Sequence, residues 1–280
     1  KNHVFNKQVR FFLTILAEGC FLQACEAFLT EPPEPGTTFE ETLPDLTREE
    51  LAAFARGDDA FGHAFSVKEG LGPIFNQPAC ETCHPKDGKA NPRTNLIRFG
   101  NTSGGVTDLL LQMGGVQLQD HSIPGVQPEI LPAQANAVSR RSGPVVFGIG
   151  LLEAIADSTI LANADPNDSN ADSISGRPNW VSAPDYVGKG PGPHLGRFGR
   201  KAGVAFLLQQ VVTADQQDIG VTTDYVPVES GHPQAGSSVR DDAADPELPA
   251  SVVNDVVSYL RTLAPPKRGT ITPEVQQGEQ

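Results

Sequence analysis

The sequence predicts a mainly α, loop-rich domain with few short strands, and three observations lead there. Apolar residues repeat at helical spacing in two segments, Leu51 with Phe54 and the run Val252, Val253, Val256, Val257, Leu260 and Leu263. Twenty-eight glycines and 24 prolines among 280 residues commit much of the chain to turns and loops. Hydrophobic residues make up 38% and charged residues 20%, a balance that builds a core rather than leaving the chain disordered. At roughly 150 residues per domain, the length suggests one large or two small domains. The formal charge of −13 argues against a nucleic-acid backbone as partner. No apolar run reaches the ~20 residues that a membrane-spanning helix needs.

Residues 1–24 read as a signal-like segment. Lys1, Lys7 and Arg10 precede the apolar run Phe11-Phe12-Leu13-Thr14-Ile15-Leu16-Ala17, in the order of an export signal. Leu22-Gln23-Ala24-Cys25 resembles a lipoprotein cleavage site, which makes Cys25 a candidate lipid anchor, although Glu18 is an awkward charge within the apolar run. Residues 25–46, with Pro32, Pro33, Pro35 and Pro44 among several glutamates, read as an extended tether. The folded body is expected from 47 to 268. It opens at Thr47-Arg48-Glu49-Glu50, a capping box in which the Thr hydroxyl takes a first-turn N–H and Glu50 reaches back. Pro265-Pro266 stops the C-terminal helix, and 269–280 is a polar connector.

Chemistry enters at Cys80-Glu81-Thr82-Cys83-His84. In C-x-x-C-H, two thiols one helical turn apart add across the vinyl groups of a haem, and the adjacent histidine binds its iron. Given the chain's own composition, a chance match has odds of roughly one in a thousand. A zinc site would want a second ligand pair at finger spacing, and a thioredoxin-type motif would sit in a βαβ pattern, which is not evident. One covalent haem c is therefore the expected cofactor, in a cytochrome c-like domain. Its attachment requires export, so a periplasmic or outer-membrane-attached location follows.

The blocks around this motif resemble the bacterial di-haem oxidoreductase family, whose members are labelled peroxidases or thiol oxidoreductases. They are Gly70-Leu71-Gly72-Pro73-Ile74-Phe75-Asn76, Asp87-Gly88, Gln117-Leu118-Gln119-Asp120, Ile123-Pro124-Gly125-Val126 and Arg140-Arg141-Ser142-Gly143-Pro144. Further along come Gly148 to Ile155, Ile174 to Asn179, Leu195-Gly196-Arg197-Phe198-Gly199 and Asp218-Ile219-Gly220-Val221-Thr222. The resemblance implies electron transfer into a peroxidase-like second haem centre whose motif would lie beyond Gln280. It also implies a redox partner protein or a small electron donor or acceptor. Arg200 stands where the family has tryptophan.

The remaining candidates rest on residue chemistry. Met113, His121 and His194 are alternatives for a second iron ligand, which would favour electron transfer over catalysis. Arg93, Arg98, Arg140 and Arg141 could pair haem propionates through two-point guanidinium contacts. Asp165, Asn167, Asp168, Asn170 and Asp172 alternate hard oxygen ligands as a calcium loop does, although the EF-hand template is incomplete. Solvent-facing Asx turns would account for the same residues. Glu153, among Leu151, Leu152 and Ile155, is a weak catalytic candidate as a buried acid with a raised pKa, and the wet side of an amphipathic helix is the alternative place for it. Residues 1–24 carry +2, 25–60 carry −8 and the rest −7, so the tether and first helix carry a larger net negative charge than the longer remainder of the chain.

Overall fold

A computed structural model of the chain describes residues 39–88, 92–236 and 239–279. The signal-like segment, Cys25 and the tether up to Thr38 lie outside the described residues. The first ordered contacts come earlier than position 47. Leu43 N–H donates to the Thr262 carbonyl at 2.7 Å, Ala264 N–H donates to Glu41 at 2.7 Å, and Phe39 stacks on Phe147. Thus the last residues assigned to the tether already pack on the body.

Helix α1 spans Arg48–Gly62 and starts as its capping box dictates: Glu50 N–H donates to Thr47 Oγ1 at 3.2 Å, and Thr47 N–H donates to Glu50 Oε2 at 2.8 Å. The motif cysteines form α2, the single turn Cys80–Cys83. Short helices α3 (Ile149–Ala154) and α4 (Asp157–Ala162) follow, then α5 (Leu207–Ala214), which continues into a π-turn, Asp215–Ile219. Helix α6 spans Ala250–Thr262 and α7 spans Pro273–Gly278.

Eight strands fall into three small antiparallel sheets. Strand β1 (Ile74–Phe75) pairs with β5 (His121–Ser122). Strand β2 (Leu96–Ser103) takes β6 (Ala137–Arg141), β3 (Val106–Asp108) and β4 (Gln117–Leu118) as partners. Strand β7 (Trp180–Ser182) pairs with β8 (Pro193–Leu195).

This corrects the mainly α expectation. Among the described residues only α1 and α6 exceed eight residues, and the body is a loop-rich mixture of short helices and small sheets. Seven of the eight strands have two to five residues, too few for their side-chain alternation to show in a sequence. The two long helices are visible there, and they biased the expectation. No helix among the described residues is long and apolar enough to cross a membrane.

The core sits where α1 crosses α6. Phe54 and Phe61 lie 4.8 and 5.5 Å from the Tyr259 ring, and Val253, Val256, Val257 and Leu260 are buried on the face expected for α6. Gly57 permits the crossing, because a Cβ there would stand 2.2 Å from the Asp255 carbonyl oxygen. Leu207, Val211 and Val212 of α5, with Phe198 and Val146, close the same cluster. That cluster forms the wall against which the motif turn packs.

Candidate functional site

The α2 turn sets the site's geometry. Ala79 enters it in an extended conformation, and His84 N–H closes it by donating to the Cys80 carbonyl at 3.0 Å. Positions three apart on a helical turn share a face, so Cys80 and Cys83, both half-buried free thiols, line one cavity together with His84. The cavity measures about 130 Å³. Phe61, Leu207, Val211, Val256 and Leu260 supply its apolar wall, and Gln77, Gln210, Asp215 and Asp218 are its other polar members.

Burial dominates the electrostatics. It pushes the Cys80 thiol well above its ordinary range, with Asp215 and Asp218 adding to the shift. It lifts Cys83 to about 11, Asp218 again adding and the Thr94 hydroxyl opposing. Burial lowers the His84 pKa, so the ring is neutral, the form that binds metal. The carbonyls of Pro144 and Gly88 offset part of that shift, yet the buried Nδ1 has no hydrogen-bond partner. An unpaired buried ring nitrogen, two protonated thiols on the same wall and an apolar lining are the donor set that a haem would need.

The loop after the motif is anchored to the core. Val146 and Phe147 donate their N–H groups to the Asp87 carbonyl at 3.1 and 3.3 Å. The buried Asp87 carboxyl is raised to about 6 by desolvation, opposed by its hydrogen bond with the Tyr259 hydroxyl of α6. His84 is thereby held between α1, where it meets the Phe61 ring at 6.2 Å, and the loop carrying Pro144 and Val146.

The arginine candidates separate by strand register. Arg98 lies opposite Ser139 and Gln117, whereas Arg141 lies opposite Leu96, so Arg98 and Arg141 share a face of β2–β6 and Arg140 takes the other. Arg98 is near Asp218: burial lowers its pKa, and Asp218 opposes that. Arg93 sits in the turn Pro92–Thr94, next to the residue that bonds Cys83. Arg200 donates Nε to the Ser142 carbonyl at 2.9 Å, close to Pro144 and Gly199 of the cavity.

The three second-ligand candidates do not line the cavity. The Met113 carbonyl accepts from Gln234 at 3.0 Å. His121 is exposed, 2.9 Å from Asp120 and stacked on Phe75. His194 faces the Gly190 carbonyl at 3.3 Å and the Phe206 ring.

Glu153 is an ion-paired carboxylate rather than an acid with a raised pKa. Burial alone would raise it, but Arg261 Nε at 2.6 Å and the Leu207 N–H at 3.0 Å hold its pKa below the ordinary glutamate value. It is the carboxylate of an ion pair joining α3 to α6, and the ion pair is why it does not store a proton.

In the 165–172 loop several of the side-chain oxygens accept from backbone groups. Asp165 accepts from Ser169 N–H at 2.9 Å, Asp168 from Ser173 at 3.1 Å, Asn170 from Asp172 at 3.1 Å, and Asp172 from Ile174 at 2.7 Å. The carboxylates that do converge among the described residues are Glu229, Asp241 and Glu247, with one oxygen of each within 4.8 Å of the others.

Sequence reasoning missed Asp215 as a site residue and saw Asp218 only as part of a block. Leu207, Val211 and Asp215 are spaced at four residues, so Asp215 continues the buried stripe of α5, a carboxylate where an apolar residue belongs. That spacing was the available signal.

No curated protein and no solved structure matches the chain. Residues 27–101 and 126–280 match the family model described as "Di-haem oxidoreductase, putative peroxidase". The motif turn and its apolar cavity lie within those matched residues, and the chain belongs to the di-haem oxidoreductase family.

Proposed function

We propose that the described body is a c-type haem domain of an exported oxidoreductase acting on a small oxidant of the peroxide class. Cys80 and Cys83 are its thioether anchors and His84 its iron ligand. The observation carrying this reading is the joint placement of two protonated thiols and one neutral imidazole on the wall of a mostly apolar cavity. Among the described residues lining that cavity, His84 is the one histidine and there is no methionine. An iron position left open to small ligands suits catalysis better than carriage of electrons alone.

When bound, haem supplies one-electron chemistry at iron. The chain's own residues do the rest. The Phe61, Leu207, Val211 and Leu260 wall excludes water, and His84 presents a neutral ring whose direction is set by the anchored Asp87 loop. Arg98, beside Asp218, and Arg141, on the same strand face as Arg98, are the arginines this reading assigns to the propionates. Export through residues 1–24, lipid attachment at Cys25 and electron passage to a second haem centre complete the proposal.

The test is expression of the whole chain alongside haem-ligation machinery. Haem should stay on the polypeptide through denaturing electrophoresis and be lost in the Cys80→Ser/Cys83→Ser double variant. Azide should then shift the ferric absorption spectrum. A spectrum that azide leaves unchanged would refute the open position and favour a mono-haem electron carrier.

A further inference from the structure

Asp215 is the one strongly buried acid of the cavity that has an oxygen to spare. The residue is 5% exposed, and its Oδ2 is buried with no hydrogen-bond partner. Its backbone is pinned: Gly220 and Val221 donate their N–H groups to the Asp215 carbonyl at 2.9 and 3.1 Å, closing the π-turn. Gly220 has φ +87°, and a Cβ there would stand 2.6 Å from the Ile74 carbonyl, so the turn is seated against β1. π-Turns are rare and are frequently found at functional sites.

Its neighbour Asp218 is differently held. It accepts from Gln117 Nε2, which also donates to Asn76 Oδ1 at 2.8 Å, and Arg98 stands beside it. Asn76 in turn donates to the Leu118 carbonyl at 2.7 Å. Asp218 is thus fastened to the β2–β4 sheet as an acceptor, whereas Asp215 is not fastened by its side chain.

We propose that Asp215 is the redox-linked proton acceptor of this cavity, taking one proton when haem held by Cys80, Cys83 and His84 gains one electron and releasing it on reoxidation. The proposal rests on the haem reading of the site. In the forward step an O–H bond forms on the Asp215 carboxylate with a proton from water, while the electron comes from a small one-electron donor. Reoxidation breaks that bond and returns the proton. Negative charge added inside a poorly solvated cavity attracts a compensating proton, and an acid without a hydrogen-bond partner is where it costs least.

The groups facing Asp215 agree with this. They are Asp218 on its own turn, Cys80, Cys83 and His84 across the cavity, the Tyr186 hydroxyl, and His63 on the far side of Cys80. Neither lysine nor arginine is among these described groups. Burial first and Asp218 second lift Asp215 to about 7, so its proton is exchangeable near neutrality.

The test is a spectroelectrochemical titration of the haem-loaded chain from pH 5 to 9. In the wild type, each tenfold drop in proton concentration should lower the potential by about 59 mV within a window around neutrality, with flat limbs outside it. Asp215→Asn should abolish the slope, Asp215→Glu should displace the window, and Asp218→Asn should keep the slope. Where Asp215→Asn does not load haem, Asp215→Glu decides, and a window unchanged from wild type overturns the proposal. A slope that persists in Asp215→Asn, or is absent from the loaded wild type, overturns the proposal alone. A chain that takes up no haem overturns the site reading with it.

Discussion

Replacing Gly57 by alanine tests the packing on which the cavity wall depends. The added Cβ would lie 2.2 Å from the Asp255 carbonyl oxygen and 2.5 Å from Tyr259 Cβ, where ordinary contact begins near 3.4 Å. Helices α1 and α6 must therefore part by roughly 1 Å. Alanine gains about 1 kcal/mol of helix propensity over glycine. Against that stand about 1–3 kcal/mol of overpacking and the loosening of Phe54 and Phe61 on Tyr259, since a gap of ~1 Å forfeits up to about half of a dispersion contact. The expected net loss is about 2 kcal/mol, or roughly 4–8 °C in Tm. Urea unfolding followed by circular dichroism measures it. Ala55→Gly, on the exposed face of the same helix, isolates propensity and should cost about 1 kcal/mol. A Gly57→Ala protein as stable as wild type, or more so, would refute the close crossing.

Three further outcomes are expected. Desolvation holds Asp87 and Asp218 at about 6, Asp215 and Glu129 at about 7 and Glu229 at about 8, so the native haem-free chain binds more protons than the unfolded one. Stability from raised pKa values is present below the unfolded values and lost as pH rises through the folded ones, so the urea midpoint should fall from pH 5 to 8. Glu129→Gln should flatten part of that fall, and a midpoint rising with pH would contradict the assignment. Arg261→Met removes the partner that holds Glu153 low, a stabilisation present above the unfolded pKa and lost in acid. The variant should lose on the order of 1 kcal/mol at pH 7 and converge with wild type in acid, because the pair is partly exposed; a loss equal at both pH values would deny the ion pair. Met113→Leu should leave the ferric and ferrous spectra of the loaded protein unchanged, and a shifted spectrum would place the thioether on iron.

How much of the site was legible depended on how local its chemistry is. Cys80, Cys83 and His84 lie within five residues, so the motif they form is visible in their spacing alone. The Thr47–Glu50 capping box and the apolar face of α6 were readable for the same reason: each is decided within one or two helical turns. The ion pair of Glu153 was not readable, because its partner, Arg261, lies 108 residues away. The strands on β2 escaped notice because β4 and β6 contribute only two and five residues to it.

The sequence by itself determined the motif's spacing, the family to which the chain belongs, and the two long helices, because residue spacing and helical periodicity are properties of neighbouring residues. Only the tertiary structure decided which groups share the cavity with that motif. It placed Asp215 and Asp218 inside, seated Met113, His121 and His194 elsewhere, and divided the arginines between two strand faces. Desolvation and charge pairing, which set the proton affinities of these groups, depend on what surrounds each one in space.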